Sequence, residues 1–168
     1  MDNIIYENGS LKILDQTLLP NEEKYITMKS LEECIEAIKK TANTRRARHW
    51  HFCPVIRLRF LTVGDIKAAK AALDAARPTA VNLSWATARI AEAAKAGKNL
   101  IAEAKAIHAE DIELCRKISE YGLSLLKDGD GILTHCNAGE LATSKYGTGL
   151  GPLIFGQGKG LHLSCLHR

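Results

Sequence analysis

The sequence predicts an α+β chain that leads into α/β: an N-terminal β-hairpin and helical domain over residues 1–128, then the truncated start of a Rossmann-like domain over residues 129–168. Three observations predict it. An Asn8-Gly9 pair separates two short apolar runs near the start. Capping residues and alanine-rich periodic stretches then dominate from Ser30 to Lys127. Past Asp128-Gly129-Asp130-Gly131 the pattern changes to a brief apolar run followed by a glycine-rich stretch.

Each element has its own reason. Ile4, Ile5 and Tyr6 lead to Asn8-Gly9, and Leu11, Ile13 and Leu14 follow. Asn-Gly suits a type I′ hairpin turn because both residues tolerate positive φ. Pro20-Asn21 is expected to end this unit. Ser30-Leu31-Glu32-Glu33 is a capping box, and the helix behind it runs to about Lys40 with Leu31, Cys34, Ile35 and Ile38 on one face. Thr62 and Asp65 start an alanine-rich helix that stops at Ala76, ahead of Pro78. Pro78 or Thr79 opens the next helix, which runs to Ala96 and ends at Gly97. A long helix from about Leu100 to Lys127 is expected to carry Ile107, Leu114, Ile118, Tyr121 and Leu125 inward. Ile132-Leu133-Thr134 reads as a buried parallel strand entering the glycine-rich stretch that reaches Gly160. The expectation is that only one strand–loop–helix unit fits before Arg168, so that the second domain is cut short.

Bulk properties narrow the class. The chain has 168 residues, 46% hydrophobic and 25% charged, which suits one compact domain or a small domain plus part of another. No apolar run reaches the roughly 18 residues of a membrane span, and no signal peptide is visible, so a cytoplasmic protein with no membrane partner is expected. The five cysteines are dispersed, with no CxxC pair, and read as reduced thiols rather than a zinc or redox centre. The net charge of +4 is local: removing Arg45, Arg46, Arg48, Arg57 and Arg59 leaves −1.

Two segments carry candidate chemistry. Thr134-His135-Cys136-Asn137-Ala138-Gly139 falls at the carboxyl end of a strand, where open α/β sheets place their sites. Cys136 there faces the N–H groups of the following helix, which favours thiolate and can hold an anion. The alternative is a small buried filler. Arg77 precedes a proline-started helix and can meet an anion at its N-terminus; the alternative is a solvated surface arginine.

These segments carry a resemblance. Arg77-Pro-Thr-Ala-Val-Asn-Leu83 and Leu133-Thr-His-Cys-Asn-Ala-Gly139 resemble motifs of the S-methyl-5-thioribose-1-phosphate isomerases. So do Leu14-Asp-Gln-Thr-Leu-Leu-Pro20 and Glu110-Asp111-Ile112-Glu113 with Arg116-Lys117-Ile118. The likeness spans nearly the whole chain except about residues 41–61, and these segments agree with it in order and spacing. It implies a helical N-terminal domain with a small β element, then a Rossmann-like domain, in a homodimer without metal or organic cofactor. It implies an aldose–ketose isomerisation of a sugar phosphate in methionine salvage, with Cys136 catalytic and Arg77 in contact with substrate. The family's aspartate partner, with a nearby lysine and asparagine, would lie beyond residue 168, so the chain as written is expected to lack parts needed for activity.

Ribose-1,5-bisphosphate and deoxyribose-1-phosphate isomerases are close neighbours. Val81-Asn82-Leu83-Ser84-Trp85 resembles the methylthioribose enzymes better. The same fold also serves the alpha, beta and delta subunits of the translation initiation exchange factor, so a non-catalytic regulatory subunit is the alternative. Retained Cys136 and Arg77 favour the isomerase branch, because a scaffold has no chemical need for either.

Departures from the family pattern are informative. Its motif after the cysteine reads roughly NAGALATxGYGTALG; here Glu140, Ser144, Lys145 and Gly149 differ. Lys145 beside a close-packed glycine turn is expected to obstruct backbone approach. The family's RGAPAIG is replaced by Thr44-Arg45-Arg46-Ala47-Arg48-His49-Trp50-His51. The codons ACG CGG CGC GCC CGC CAT TGG CAT encode that stretch, and read one nucleotide later they give Arg-Gly-Ala-Pro-Ala-Ile-Gly. A shifted frame from near Lys40 to near Leu61 therefore explains the basic cluster. It does so without a nucleic-acid partner, and no nucleic-acid-binding module accompanies the charge. His49 and His51 are not expected to hold a metal. From Gly158 onward the family pattern is lost.

Overall fold

The computed structural model describes residues 3–43, 63–135 and 138–167. The chain divides into two compact units, Met1–His108 and Ala109–Arg168.

The first unit opens with a three-stranded antiparallel sheet of β1 (Ile4–Glu7), β2 (Ser10–Leu14) and β3 (Tyr25–Met28), with β2 in the middle. Asn8 (φ 49) and Gly9 (φ 75) both take positive φ between the paired Glu7 and Ser10, as the hairpin reading requires. The unit does not end at Pro20-Asn21. The chain turns there and returns as β3, pairing Leu11 with Met28 and Ile13 with Ile26. The Asp15 carboxylate organises the connection by accepting from the Thr17 amide at 3.0 Å and hydroxyl at 2.6 Å. Alternation along β2 buries Leu11 and Ile13 on one face.

Among the described residues, four helices follow across the chain's middle: α1 (Leu31–Asn43), α2 (Val63–Ala76), α3 (Val81–Lys95) and α4 (Leu100–Leu123). The cap of α1 is the expected one, with Ser30 Oγ accepting from the Glu33 amide at 3.2 Å. Glu33 reaches back to the Lys29 amide at 2.6 Å, one residue earlier than in a standard capping box. Leu73 on α2, and Leu83, Ala86 and Ile90 on α3, are essentially inaccessible to solvent. Together with Ile38, Ala69 and Ile107 they form the core beside the sheet residues. Each large side chain so buried contributes on the order of 1.5–3 kcal/mol. The α3 helix starts at Val81 rather than at Pro78 or Thr79. Pro78 and Thr79 instead occupy a turn closed by the Ala80 amide donating to the Arg77 carbonyl at 3.0 Å, a place that proline's fixed φ suits. The stop at Gly97 (φ 65) is as expected.

The boundary between the units falls inside α4. Of the residues expected to point inward along it, Ile107 is buried, but Leu114 (59%), Ile118 (46%), Tyr121 (71%) and Leu125 (81%) are exposed. In the second unit the helix turns a face of small residues inward instead: Cys115, Ser119 and Gly122. The reason is close approach by the last helix, α5 (Gly151–Gly158). A Cβ on Gly151 would fall 2.0 Å from Ser119 Oγ, and one on Gly122 would fall 2.5 Å from Pro152 Cγ. Larger side chains could not occupy that seam.

The second unit completes itself with β4 (Gly131–Thr134) and β5 (Ser164–His167), paired in parallel from Gly131↔Ser164 to Thr134↔His167. The single strand expected at this end is therefore two strands with a helix between, the minimal α/β crossover. The tail beyond Gly158 supplies the second strand. Nor is β4 a buried strand: only Thr134 is buried, and Leu133 is 73% exposed. The turn before β4 is held by Asp128 and Asp130. Asp128 accepts from the His162 amide at 2.6 Å, and Asp130 from the Lys127 amide at 2.8 Å.

Candidate functional site

Arg77 lies in the first unit, in the turn between α2 and α3. Its amide donates to the Asp74 carbonyl at 3.3 Å, and its carbonyl accepts from Ala80. The side chain is half-buried and makes no ion pair among the described residues. Next to it, α3 begins at Val81, and its N-cap residue Ala80 provides no side-chain cap. An uncapped helix N-terminus presents N–H groups and a partial positive charge. The turn thus joins two anion-attracting features, a guanidinium and a helix start.

The second candidate segment leaves β4 at Thr134 and His135. Cys136 and Asn137 lie outside the described residues, as do the basic cluster with His49 and His51 and nearly all of the 41–61 segment, where only the end of α1 is described. From Ala138 the loop is described, and it is tightly folded. The Ala138 carbonyl accepts from the Thr148 amide at 2.9 Å and the Leu150 amide at 3.3 Å. Gly147 (φ 79) allows this: a Cβ there would stand 2.5 Å from the Gly139 carbonyl carbon and 2.6 Å from the Ala138 oxygen. Thr143 Oγ1 accepts from the Gly147 amide at 3.0 Å and donates to the Lys145 carbonyl at 2.9 Å.

Lys145 does not obstruct this turn. It is exposed, its ammonium lies 5.5 Å from the centre of the Tyr146 ring, and the crowded backbone approach is at Gly147. The positive φ next to it belongs to Tyr146 (φ 70), whose ring packs edge-on against Phe155 with centroids 5.2 Å apart.

One residue with a role at this loop carried no role in the sequence reading. Asp111 on α4 accepts from the Ser144 amide at 2.9 Å, tying the loop to the helix. Its only sequence signal is membership of the Glu110–Glu113 segment. Beneath the loop, burial pushes the Cys115 thiol above its usual range, with the Asp111 charge adding to the shift. Cys115 is therefore a protonated packing residue rather than a nucleophile. No cluster of His, Cys, Asp or Glu suited to a metal occurs among the described residues. No helix among them is long and apolar enough to cross a membrane.

Residues 23–147 match the Initiation factor 2 subunit family, and the chain belongs to that family. Particular relatives narrow the comparison. The chain is 46% identical over 151 residues to a Methanocaldococcus jannaschii protein with a provisional methylthioribose-1-phosphate isomerase name, covering 89% of this chain and 46% of the relative. It is 42% identical over 169 residues to the 5-deoxyribose 1-phosphate isomerase of Clostridium botulinum, covering 89% and 48%. Among solved structures it resembles translation initiation factor eIF-2B, subunit delta, from A. fulgidus (TM-score 0.75, 33% identity, 99% of this chain and 54% of that one). It also resembles 5-methylthioribose 1-phosphate isomerase from Pyrococcus horikoshii (TM-score 0.81, 25% identity, 99% and 60%). The chain spans about half the length of the curated relatives it matches.

Proposed function

We propose that the polypeptide carrying this chain is an aldose–ketose isomerase that converts 5-methylthioribose 1-phosphate to 5-methylthioribulose 1-phosphate. Arg77 and the uncapped start of α3 bind the sugar phosphate. Cys136, at the carboxyl end of β4, moves the proton between C1 and C2 of the opened sugar, and the ordered loop from Ala138 to Leu150 anchors the segment that carries it. A thiol can do this work near neutral pH when its pKa suits the task. The bond between C1 and the ring oxygen breaks first, with that oxygen taking up a proton, so that C1 becomes an oxocarbenium carbon still bearing its phosphate; C2 then loses its proton to give an enol, C1 gains one, and the C2 hydroxyl gives up its proton to become the ketone. In this reading residues 1–128 form the hairpin and helical domain, and residues 129–168 begin a Rossmann-like catalytic domain. The working protein is a homodimer that needs no metal or organic cofactor and binds no nucleic acid.

The observation that supports the reading is Arg77 at a helix start, without an ion pair among the described residues, in a chain that also carries the cysteine motif after β4 and whose relatives include named sugar-phosphate isomerases. A regulatory role has support from the likeness to the delta subunit structure. The two readings separate on retained chemistry: regulation requires neither Cys136 nor Arg77. The test is direct detection of ketose by NMR after incubation with methylthioribose 1-phosphate and, in parallel, 5-deoxyribose 1-phosphate. Turnover abolished by Cys136→Ser supports the proposal. Failure of the protein both to bind and to turn over either sugar phosphate overturns it in favour of the regulatory role.

A further inference from the structure

We infer that Asp74 and Thr87 are positioning residues for Arg77; the inference rests on the proposed role of Arg77 in binding substrate. Asp74 sits in the last turn of α2, where a carboxylate opposes the negative end of the helix dipole. It is held there by contacts across the hairpin. Its Oδ1 accepts from Thr87 Oγ1 at 2.8 Å, and its Oδ2 accepts from Ser84 Oγ at 3.4 Å and from the Lys70 ammonium. Thr87 is completely buried, so without this carboxylate its hydroxyl would have only the Ser84 carbonyl at 3.1 Å.

The same residue governs the turn. The Asp74 main-chain carbonyl accepts the Arg77 amide, while its side chain grips α3 on the far side of that turn. One residue therefore fixes both ends of the Arg77–Ala80 link. A second effect is electrostatic. Asp74 and Arg77 are three residues apart, a spacing at which opposite charges readily pair. With both carboxylate oxygens engaged elsewhere, Arg77 makes no ion pair among the described residues and keeps its charge for an incoming anion.

The test is a double-mutant cycle in the full chain, read by calorimetric titration with methylthioribose 1-phosphate and with inorganic phosphate. Thr87→Val should weaken binding about tenfold, and Thr87→Ser should restore it. In an Arg77→Ala background, Thr87→Val should leave affinity unchanged while still lowering the thermal midpoint. A merely structural threonine would lower stability without that dependence on Arg77. If Arg77→Ala weakens binding but Thr87→Val does not, the inference fails and the proposed function stands. If Arg77→Ala has no effect, or no ligand binds, the proposed role of Arg77 fails. The Thr87–Asp74 contact is then judged by hydrogen exchange at the Ala80 amide: faster exchange in Thr87→Val, reversed in Thr87→Ser, supports its hold on the Arg77 turn, and unchanged exchange overturns it.

Discussion

Gly147→Ala is the substitution for which the loop geometry makes the sharpest demand. The added methyl would stand 2.5 Å from the Gly139 carbonyl carbon, 2.6 Å from the Ala138 oxygen and 2.8 Å from Gly139 Cα. All three are backbone atoms, so no side-chain rotation relieves the overlap. The φ of 79° adds roughly 1–2 kcal/mol for any residue with a Cβ. Overpacking at a fixed site adds about 1–3 kcal/mol more. A total near 3 kcal/mol would lower the thermal midpoint by roughly 6–12 °C. The strain falls on Ala138 and Gly139, two and three residues after Cys136, so on the proposed function turnover should drop with stability. Urea unfolding followed by circular dichroism gives the stability, and Gly158→Ala is the control, because a Cβ there meets nothing within 4 Å. A loss below about 1 kcal/mol at Gly147, or an equal loss at Gly158, would refute the reasoning.

Other outcomes follow from the same geometry. On the proposed function, Arg77→Ala in the full-length polypeptide should raise the KM for the sugar phosphate about 10- to 100-fold with a smaller change in kcat, as expected for a lost charge-assisted contact. Cys136→Ser should cut kcat by about 10²–10⁴, measured under saturating substrate. Cys115, 2% exposed, should resist iodoacetamide at pH 8 while the exposed Cys165 is labelled, with mass spectrometry reading the order. Because the folded Cys115 thiol holds its proton above the usual thiol range, its contribution to stability should be complete below the unfolded thiol pKa. It should then decline as pH rises towards the folded value, and Cys115→Ala should flatten that alkaline decline. Sequencing the nucleotides encoding residues 40–61 should recover Arg-Gly-Ala-Pro-Ala-Ile-Gly in a frame shifted by one; its absence removes the frame-shift explanation.

Elements whose causes are local were legible from adjacent residues alone. Asn8-Gly9, the Ser30 cap and the Gly97 stop each depend on a few adjacent residues, and each is found in the structure. Strand β3 was not legible, because Tyr25–Met28 is short and its pairing with β2 is set by a connection around Asp15. The inward face of the lower half of α4 was misread for a different reason. Apolar periodicity marks the largest hydrophobic residues, whereas close packing against α5 selects the smallest: Ser119 and Gly122 facing Gly151 and Pro152. At the candidate site, the types and spacing of Arg77 and Cys136 could be read directly. The partners could not. Asp111 reaches Ser144 across 33 positions and Thr87 reaches Asp74 across 13, and nothing in their neighbourhoods announces either bond.

Leu133 and Leu166 are register partners on parallel strands, so their side chains project from the same face of a two-stranded ribbon, 73% and 69% exposed. Exposed apolar side chains on a short ladder with open edges invite strand addition by a further extended segment. Self-association of the 168-residue chain would therefore start at this ribbon. Because the ribbon lies in the second unit, that tendency does not depend on the packing of the first.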